Sequence, residues 1–177
     1  MVAGIIPIDL LAIERKEIYE RKREENIDCL RKLVRDKSVS IFQERIQISG
    51  VGKWTARLIP NIQDWINRSH GEVNFYLTQF LKGHAHFNKY LYRRNKKNSP
   101  NCDYCPEKED DVEHTFFECE RWREIRTTLE RKIADRLSLD SITRRMTEGE
   151  HKWDAVATFV ETVLRSKKKE EREREGG

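Results

Sequence analysis

The sequence predicts a mainly α-helical protein with a small inserted zinc-binding segment and with long first and last helices. Apolar residues recur at helical spacing along most of the 177 residues, and only four Pro and eight Gly interrupt them. Charged residues make up 37% of the chain, which is typical of exposed helices rather than of one large core. Three of the four cysteines fall within residues 102–119, which indicates a local metal site.

The predicted elements follow the apolar periodicity in chain order. The first helix is expected over residues 10 to about 36, where apolar residues mark both ends of a charged middle. The last helix carries an apolar stripe over residues 153–164, which fits either an internal core or self-association. We divide the chain into a helical segment at 1–56, an apolar helical core at 57–98, a zinc-binding segment at 99–122, C-terminal helices at 123–166 and a charged, disordered tail at 167–177.

The candidate metal ligands are Cys102, Cys105, His114 and Cys119, spaced Cys-x2-Cys-x8-His-x4-Cys. A Cys-x2-Cys turn can direct two sulfurs at one ion, and the later His and Cys complete a tetrahedral Cys3His set, a ligand set of structural Zn²⁺. Since the protein fills all four positions, none remains for a catalytic water. The alternatives are buried structural thiols beside a chance His, or a redox pair, which would need a surrounding strand and helix unit.

Basic and aromatic residues flank these cysteines. The ligand order Cys-Cys-His-Cys is that of zinc knuckles, which bind single-stranded RNA or DNA through backbone contacts and base stacking. The loop at 103–113 opposes such binding, because it holds six acids against one base. For the two aromatic candidates, packing onto the zinc segment is an equally good explanation. The candidate nucleic-acid-binding residues are Arg93, Arg94, Lys96, Lys97, Tyr104, Arg121, Trp122 and Arg123.

No catalytic centre is recognisable in the sequence, and we do not expect an enzyme. Polymerase chemistry requires clustered carboxylates that hold two metal ions. Asp110 and Asp111 lie in a polar loop rather than in an apolar hairpin, and we interpret them as solvated charge. His84 and His86 would point to different sides of a helix, and we expect them to pack or to cap.

Composition and charge bound the location and the partners. The net charge of +4 is too small to establish nucleic-acid binding by itself. No stretch approaches the length of a transmembrane helix, and the first residues do not form a signal peptide, so we expect no membrane contact. We expect a soluble intracellular protein with reduced thiols. For a nucleic-acid-binding chain this means the nucleus or a ribonucleoprotein particle, although the basic run is a weak import signal.

Several short segments carry a family resemblance. They are Ala3-Gly4-Ile5-Ile6-Pro7-Ile8-Asp9-Leu10-Leu11, Arg57-Leu58-Ile59-Pro60, His70-Gly71-Glu72-Val73, Leu77-Thr78-Gln79-Phe80-Leu81 with Gly83-His84, Tyr90-Leu91-Tyr92-Arg93, Ser99-Pro100-Asn101-Cys102 and Glu113-His114-Thr115-Phe116-Phe117-Glu118-Cys119. These segments resemble the region downstream of the reverse transcriptase in insect non-LTR retrotransposon polyproteins of the jockey-like and ribosomal-DNA-inserting group.

The resemblance implies a carboxy-terminal fragment of such a polyprotein, or a copy truncated upstream. The full polyproteins of the family copy element RNA onto nicked chromosomal DNA, and the resemblance implies that the Cys-Cys-His-Cys segment helps to hold template RNA or target DNA. The leading hypothesis is therefore a zinc-stabilised nucleic-acid-binding fragment that acts with the remainder of the polyprotein, which carries the polymerase. The alternative is a zinc-ordered helical scaffold or protein-interaction domain.

Overall fold

The computed structural model describes residues 4–23, 26–49 and 52–175, and in these ranges the chain is helical without β-strands. The predicted mainly α class is thus confirmed. Ala3 of the opening family-like segment, residues 24–25 of the predicted first helix and residues 176–177 of the predicted tail lie outside the described ranges. The chain divides into two compact units, Met1–Arg68 and Ser69–Gly177. None of the described helices is both long and apolar enough to cross a bilayer.

The first unit is built on an antiparallel helix pair. Glu17 pairs with Lys37 at 2.9 Å and Asp9 pairs with Arg45 at 2.5 Å, which shows that the second helix runs back along the first. The buried side chains of the pair include Leu10, Leu30, Val34, Val39 and Phe42. The helices of this unit are α1 (Ile8–Arg21), α2 (Ile27–Ile48), α3 (Lys53–Leu58) and α4 (Ile62–Asn67).

The prediction of a single long helix over residues 10 to about 36 is wrong. Helix α1 ends at Arg21, and α2 begins after Asn26, whose side chain accepts hydrogen bonds from the backbone N–H groups of Asp28 and Cys29. Asn is a strong N-cap, so this residue favours a new helix start. An unbroken helix would hold Leu10 and Leu30 about 30 Å apart in water. The helix pair instead buries both side chains.

The second unit holds the predicted zinc-binding segment between its second and third helices. Its helices are α5 (Phe75–Lys82), α6 (Asn88–Arg93), α7 (Arg123–Ile133), α8 (Leu139–Thr147) and α9 (Glu150–Glu175). Helix α9 packs on α5, α7 and α8. Its apolar stripe, from Trp153 to Leu164, is buried within the unit. The stripe that we considered for self-association therefore closes an internal core.

The apolar segment predicted at 57–98 does not form one core. Leu58, Ile62 and Trp65 are buried in the first unit, where the Gln43 side chain accepts a hydrogen bond from the Ile62 N–H at 3.0 Å. Leu77, Phe80, Leu81, Phe87 and Leu91 are buried in the second unit. The apolar run thus supplies two cores, and the units divide after Arg68.

The tail that we expected to be disordered from residue 167 is helical as far as Glu175. Its charges are arranged at helical spacing, with Lys167, Glu170, Glu171 and Arg174 on one face. Each of these four side chains pairs with an oppositely charged residue on or beside the zinc-binding segment. The alternating charges, which by themselves suggested a frayed end, therefore stabilise the end of α9 through these ion pairs. We call these four residues the charged face of α9.

Candidate metal centre

The structure brings together the four predicted metal ligands. The ligand atoms of Cys102, Cys105, His114 and Cys119 all lie within 4.8 Å of one another. The Cys119 sulfur is 3.8 Å from that of Cys102 and 4.0 Å from that of Cys105. Zn–S bonds of about 2.3 Å in a tetrahedron place sulfurs about 3.8 Å apart. These separations are far too long for disulfides, and they match a Cys3His zinc site.

The state of the four side chains fits a bound Zn²⁺. His114 is buried, and neither ring nitrogen forms a hydrogen bond with any described residue, which is costly for an imidazole unless an ion occupies one nitrogen. Burial raises the pKa of the Cys102 thiol and raises that of Cys119 to about 12. Such thiols stay protonated without a metal, and Zn²⁺ displaces their protons when it binds. A carboxylate oxygen of Glu118 lies 3.7 Å from the His114 Nδ1, beyond hydrogen-bond distance, so a bond to Zn²⁺ is the partner that this ring lacks.

A tight loop positions the first two ligands. Burial raises the pKa of the Cys102 thiol, and interactions with the backbone of Tyr104 and Cys105 oppose that rise, as expected for a sulfur in a Cys-x2-Cys turn. The Cys102 N–H donates to the Lys108 carbonyl at 2.8 Å, and the Lys108 N–H donates to the Cys105 carbonyl at 2.9 Å. An antiparallel bridge between Asn101 and Glu109 closes the loop. Both sulfurs therefore face one centre.

A single π-helical turn, His114–Glu118, positions the other two ligands. The Cys119 N–H donates to the His114 carbonyl at 2.8 Å, so residues five apart come onto the same side of the turn. The Asp111 carboxylate accepts from the His114 N–H at 3.0 Å and starts the turn. Phe116 anchors the turn in the core, with its ring centroid 4.7 Å from that of Phe80. This rare element occurs frequently at functional sites.

A buried cation lies beside the cluster. Zn²⁺ with three thiolates and a neutral imidazole carries one net negative charge. Arg126 of α7 is 9% exposed, and its guanidinium donates to the Cys119 carbonyl at 3.2 Å and to the Phe116 carbonyl at 3.4 Å. The guanidinium thus closes the end of the π-turn and offsets the charge of the loaded site. Sequence reasoning missed Arg126, because its partners are main-chain carbonyls.

The interpretation of Asp110 as solvated charge is wrong. Its side chain is 1% exposed and accepts hydrogen bonds from the Asn88 N–H at 2.7 Å and from the Thr115 hydroxyl at 2.7 Å. The Lys167 ammonium lies 2.8 Å from the same carboxylate. Asp110 thus joins the start of α6, the π-turn and α9. These partners are distant in sequence, which is why the pattern of a polar loop did not reveal them.

The charged face of α9 lies along the metal segment, which we define as residues 99–122. Lys167 pairs with Asp110, and Arg174 pairs with Asp103 at 2.6 Å. The other two pairs are Glu171 with Lys97 at 3.1 Å and Glu170 with Arg121 at 3.6 Å. The order along the helix is basic, acidic, acidic, basic, opposite to the charges that it meets. Two kinds of interaction therefore stabilise the metal segment, the ion pairs with helix α9 and the zinc site itself.

The structure separates the predicted nucleic-acid-binding residues into two groups. Arg93, Arg94 and Lys96 are exposed and form no ion pair with any residue that the structure describes. Lys97 instead points to Glu171, and 20% of its side chain is exposed. Arg123 is exposed and pairs with Glu120 at 3.1 Å. Three cations of the basic run are therefore available to a ligand, whereas Lys97 supports the fold.

The two aromatic candidates, Tyr104 and Trp122, also differ in whether their side chains are accessible to a ligand. Tyr104 is 47% exposed, and the Arg121 guanidinium lies 5.3 Å from its ring centroid. Trp122 is 5% exposed, so its ring packs against the protein and offers no face to a base. Of the two, only Tyr104 is accessible for stacking. We leave Trp122 out of the interface that we propose below.

Most acids of the loop at 103–113 have a cation of the protein as partner. Asp103 and Asp110 pair with the charged face of α9, and Lys89 pairs with Glu109 at 2.6 Å and with Asp111 at 3.0 Å. The negative field that opposed phosphate in the sequence is therefore largely compensated within the second unit.

The comparisons with known proteins agree with this site. Residues 54–125, which include all four ligands, match the family described as zinc-binding in reverse transcriptase. The Retrovirus-related Pol polyprotein from type-1 retrotransposable element R1 2 of Nasonia vitripennis is 26% identical over 143 residues, covering 71% of this chain and 34% of that protein. The chain thus spans about a third of the length of this curated relative. No solved structure matches the chain.

These matches confirm the predicted relationship at its coarser level. The chain contains a zinc-binding region of the reverse-transcriptase type and is similar to part of a retrotransposon Pol polyprotein, and Zn²⁺ is its metal. The jockey-like assignment stays a prediction. So does the more specific classification of the Cys3His site as a zinc knuckle.

Proposed function

We propose that this zinc-binding region of a retrotransposon polyprotein holds single-stranded RNA or DNA, with the zinc ion in a structural role. The observation that carries the proposal is the exposed cationic surface at Arg93, Arg94 and Lys96, which directly precedes the metal segment. A guanidinium or ammonium without an internal carboxylate partner is suited to bind phosphate.

The three cations stand on an ordered turn. The Arg94 and Lys96 N–H groups both donate to the Leu91 carbonyl, at 3.0 and 2.9 Å, and Asn95 adopts a left-handed conformation with φ of 55°. This arrangement ends α6 and fixes the direction of the basic run. Because the backbone is already ordered, phosphate binding would cost little conformational entropy.

The neighbouring residues support the same proposal. Tyr104 with Arg121 provides an exposed aromatic and guanidinium pair on the metal segment, which is a suitable platform for an unpaired base. Four of the six acids of the adjacent loop are compensated by Lys89 and by the charged face of α9. A strand can therefore pass from the basic run toward Tyr104.

We further propose that the nucleic acid is template RNA or target DNA and that the region acts together with the rest of its polyprotein. The curated relative is described as a Pol polyprotein, and this chain corresponds to about a third of it. Under this proposal the polymerase chemistry belongs to other parts of the polyprotein. The proposal also predicts a location in the nucleus or in a ribonucleoprotein particle.

Fluorescence anisotropy with single-stranded RNA, single-stranded DNA and duplex DNA across a salt series tests this function. The test variant is the triple change Arg93→Glu, Arg94→Glu and Lys96→Glu. The matched control, Arg131→Glu, Lys132→Glu and Arg136→Glu, makes the same charge change at exposed positions on and after α7. Single strands should lose affinity as salt rises, with a log–log slope that falls by about 2 in the test variant and less in the control.

Two results would contradict the proposal. Equal weakening by both triple variants would mean that only net charge matters, and the basic run would lose its role. Absence of binding by zinc-loaded protein at low salt would favour the alternative, a zinc-ordered scaffold or protein-interaction domain. The connection of the metal segment to α6, α7 and α9 is the observation that suits that alternative.

A further inference from the structure

A pocket of about 210 Å³ lies between α5, α6 and α9 in the second unit. Its lining is mainly apolar and aromatic, and no Asp or Glu is among the described residues that form it. Phe75, which is 63% exposed, stands on the α5 side. The other ring-bearing and cationic residues of the lining are Tyr76, His84, His86, Tyr90 and Lys168.

Cations surround this pocket. The Arg94 guanidinium lies 5.5 Å from the centroid of the Tyr90 ring, and the Arg165 guanidinium lies 5.2 Å from that of Tyr76. Lys168 is part of the lining, and Arg165 also pairs with Glu161 at 2.7 Å. Arg94 belongs to the exposed basic run as well. The pocket is therefore next to the surface on which we place the phosphates.

We propose that this pocket takes one unstacked base of the same single-stranded nucleic acid, which lies against the rings of Tyr76, His84 and Tyr90. The ring centroids of His84 and Tyr90 are 5.4 Å apart, so the base contacts this pair from the cavity side and does not enter between the two rings. The proposal rests on the proposed function and adds to it a site for a base. Aromatic rings and guanidinium planes stack on any base, because every base has a π-face. The site would thus add affinity for unpaired strands with little dependence on sequence.

The size of the pocket suits a single base. A dry cavity of about 150 Å³ in another protein holds one benzene ring. The pocket, at about 210 Å³, is larger than that cavity. It therefore has room for one pyrimidine or purine but not for two stacked bases. Gln79 and His84 in the lining also offer hydrogen-bonding groups to the edge of a base.

The charge around the pocket favours a polyanion over an apolar peptide. An apolar helix or side chain from a protein partner would fill the aromatic lining equally well, but it gains nothing from Arg94 and Lys168, which form no ion pair within the described residues. A base attached to a phosphate backbone uses both features. The acid-free lining imposes no repulsion on the neighbouring phosphates.

The test compares strands with and without bases. Oligothymidine and an abasic DNA strand of equal length carry the same phosphates, so their affinities differ only through the bases. The variant Tyr90→Leu removes a ring from the pocket, and Tyr92→Leu on the same helix is the control, since Tyr92 is 48% exposed and is not in the lining. A 2-aminopurine in the strand reports stacking through quenching of its fluorescence.

Wild-type protein should bind oligothymidine on the order of tenfold more tightly than the abasic strand. Tyr90→Leu should lower that difference and the 2-aminopurine quenching by the share that the Tyr104 platform does not supply, and it should change abasic affinity less than oligothymidine affinity. Tyr92→Leu should leave both unchanged. If circular dichroism shows that Tyr90→Leu does not fold, His84→Ala and Phe75→Ala, both at exposed positions, take its place with the same expectation.

The possible failures are distinguishable. Equal, salt-dependent binding of both strands by wild-type protein would overturn the pocket and leave the proposed function in place. Quenching and an affinity difference that are both unchanged in Tyr90→Leu or its replacements would also overturn it, leaving an apolar protein segment as the remaining occupant. If neither strand binds to the wild-type protein, both the proposed function and the base pocket are overturned.

Discussion

The Lys167 ammonium of α9 lies 2.8 Å from the buried carboxylate of Asp110, although 57 positions separate the two residues in the chain. Asp110 is 1% exposed and Lys167 retains 12% exposure of its side chain. The carboxylate also receives hydrogen bonds from Asn88 and Thr115. This ion pair connects the last helix to the metal segment.

Replacing one partner of this pair should be strongly destabilising. Lys167→Met leaves a buried carboxylate without its cation, and we expect the free energy of unfolding to fall by roughly 3 kcal/mol. Asp110→Asn in the same background should cost much less than it does alone, because the two changes share one interaction. Urea denaturation of the four proteins of this double-mutant cycle, all zinc-loaded, measures both effects. Simple additivity of the two losses would mean that the pair is not coupled.

Removing the zinc should unfold the metal segment and release part of α9. Chelation removes the ion, and Cys105→Ser removes one of its four ligands, so either change takes away metal-binding energy that is also folding energy. We expect hydrogen exchange to accelerate over residues 99–122 and 167–174, while residues 153–164 stay protected because Val156, Val160 and Val163 lie in the core. Cys29→Ser is the control, since Cys29 is exposed and distant from the cluster in sequence. Unchanged exchange after chelation would exclude a structural metal.

The pair Lys97 and Glu171 should behave as a structural contact. Their charged atoms are 3.1 Å apart, and the Glu171 side chain is 10% exposed. Lys97→Glu should therefore lower the melting temperature, and the exchange Lys97→Glu with Glu171→Lys should restore much of it. Arg93→Glu should change the melting temperature little, since Arg93 is exposed and unpaired within the described residues. A doubly exchanged protein that is no more stable than Lys97→Glu would refute the contact.

A side chain at Gly71 should destabilise the second unit. Gly71 has φ of +79°, and a Cβ there would overlap the ring of Trp153. The Trp153 ring is held in place by its N–H, which donates to the Glu72 carbonyl at 3.3 Å. We expect Gly71→Ala to cost roughly 2–4 kcal/mol through strain and overlap. Gly149→Ala is the control, because its Cβ would come no closer than 3.4 Å to a neighbouring ring.

The helix pair of the first unit should weaken in acid. The hydrogen bond from Lys37 is the main reason that the pKa of Glu17 lies below its ordinary value. A carboxyl whose pKa is depressed by folding stabilises the fold above its unfolded pKa, and that stabilisation is lost as pH falls through the folded value. Glu17→Gln should therefore show a shallower loss of stability below about pH 4.5 than the parent chain. Parallel slopes for the two proteins in urea titrations would disprove this linkage.

Local patterns in the sequence predicted the metal ligands because ligand spacing is itself a local property. A turn fixes Cys102 and Cys105, and a short segment fixes His114 and Cys119, so counting residues is sufficient. Signals of the same local kind begin α4, where Asn61 accepts from the N–H groups of Gln63 and Asp64, and end α5 at Gly83, which has φ of 68°. These signals act within one turn of the residue that carries them.

The same patterns failed where the outcome depended on distant partners. Asp110 has the sequence environment of a solvated loop residue, and Lys97 has that of a free basic run. Each is fixed by α9, which contributes Lys167 and Glu171. The long first helix failed for a related reason, since the return of α2 along α1 buries apolar ends that no local rule brings together.

The sequence by itself thus determined the helical class, the zinc ligands and the relationship to retrotransposon polyproteins, because each depends on residue type and short spacing. Only the tertiary structure decided which charges serve the fold and which face the solvent. The free energy of a charge depends on burial and on the opposite charge that it meets. Lys97 and Asp110 meet their opposite charges on the tail of α9, at Glu171 and Lys167, which lie far from them in the sequence.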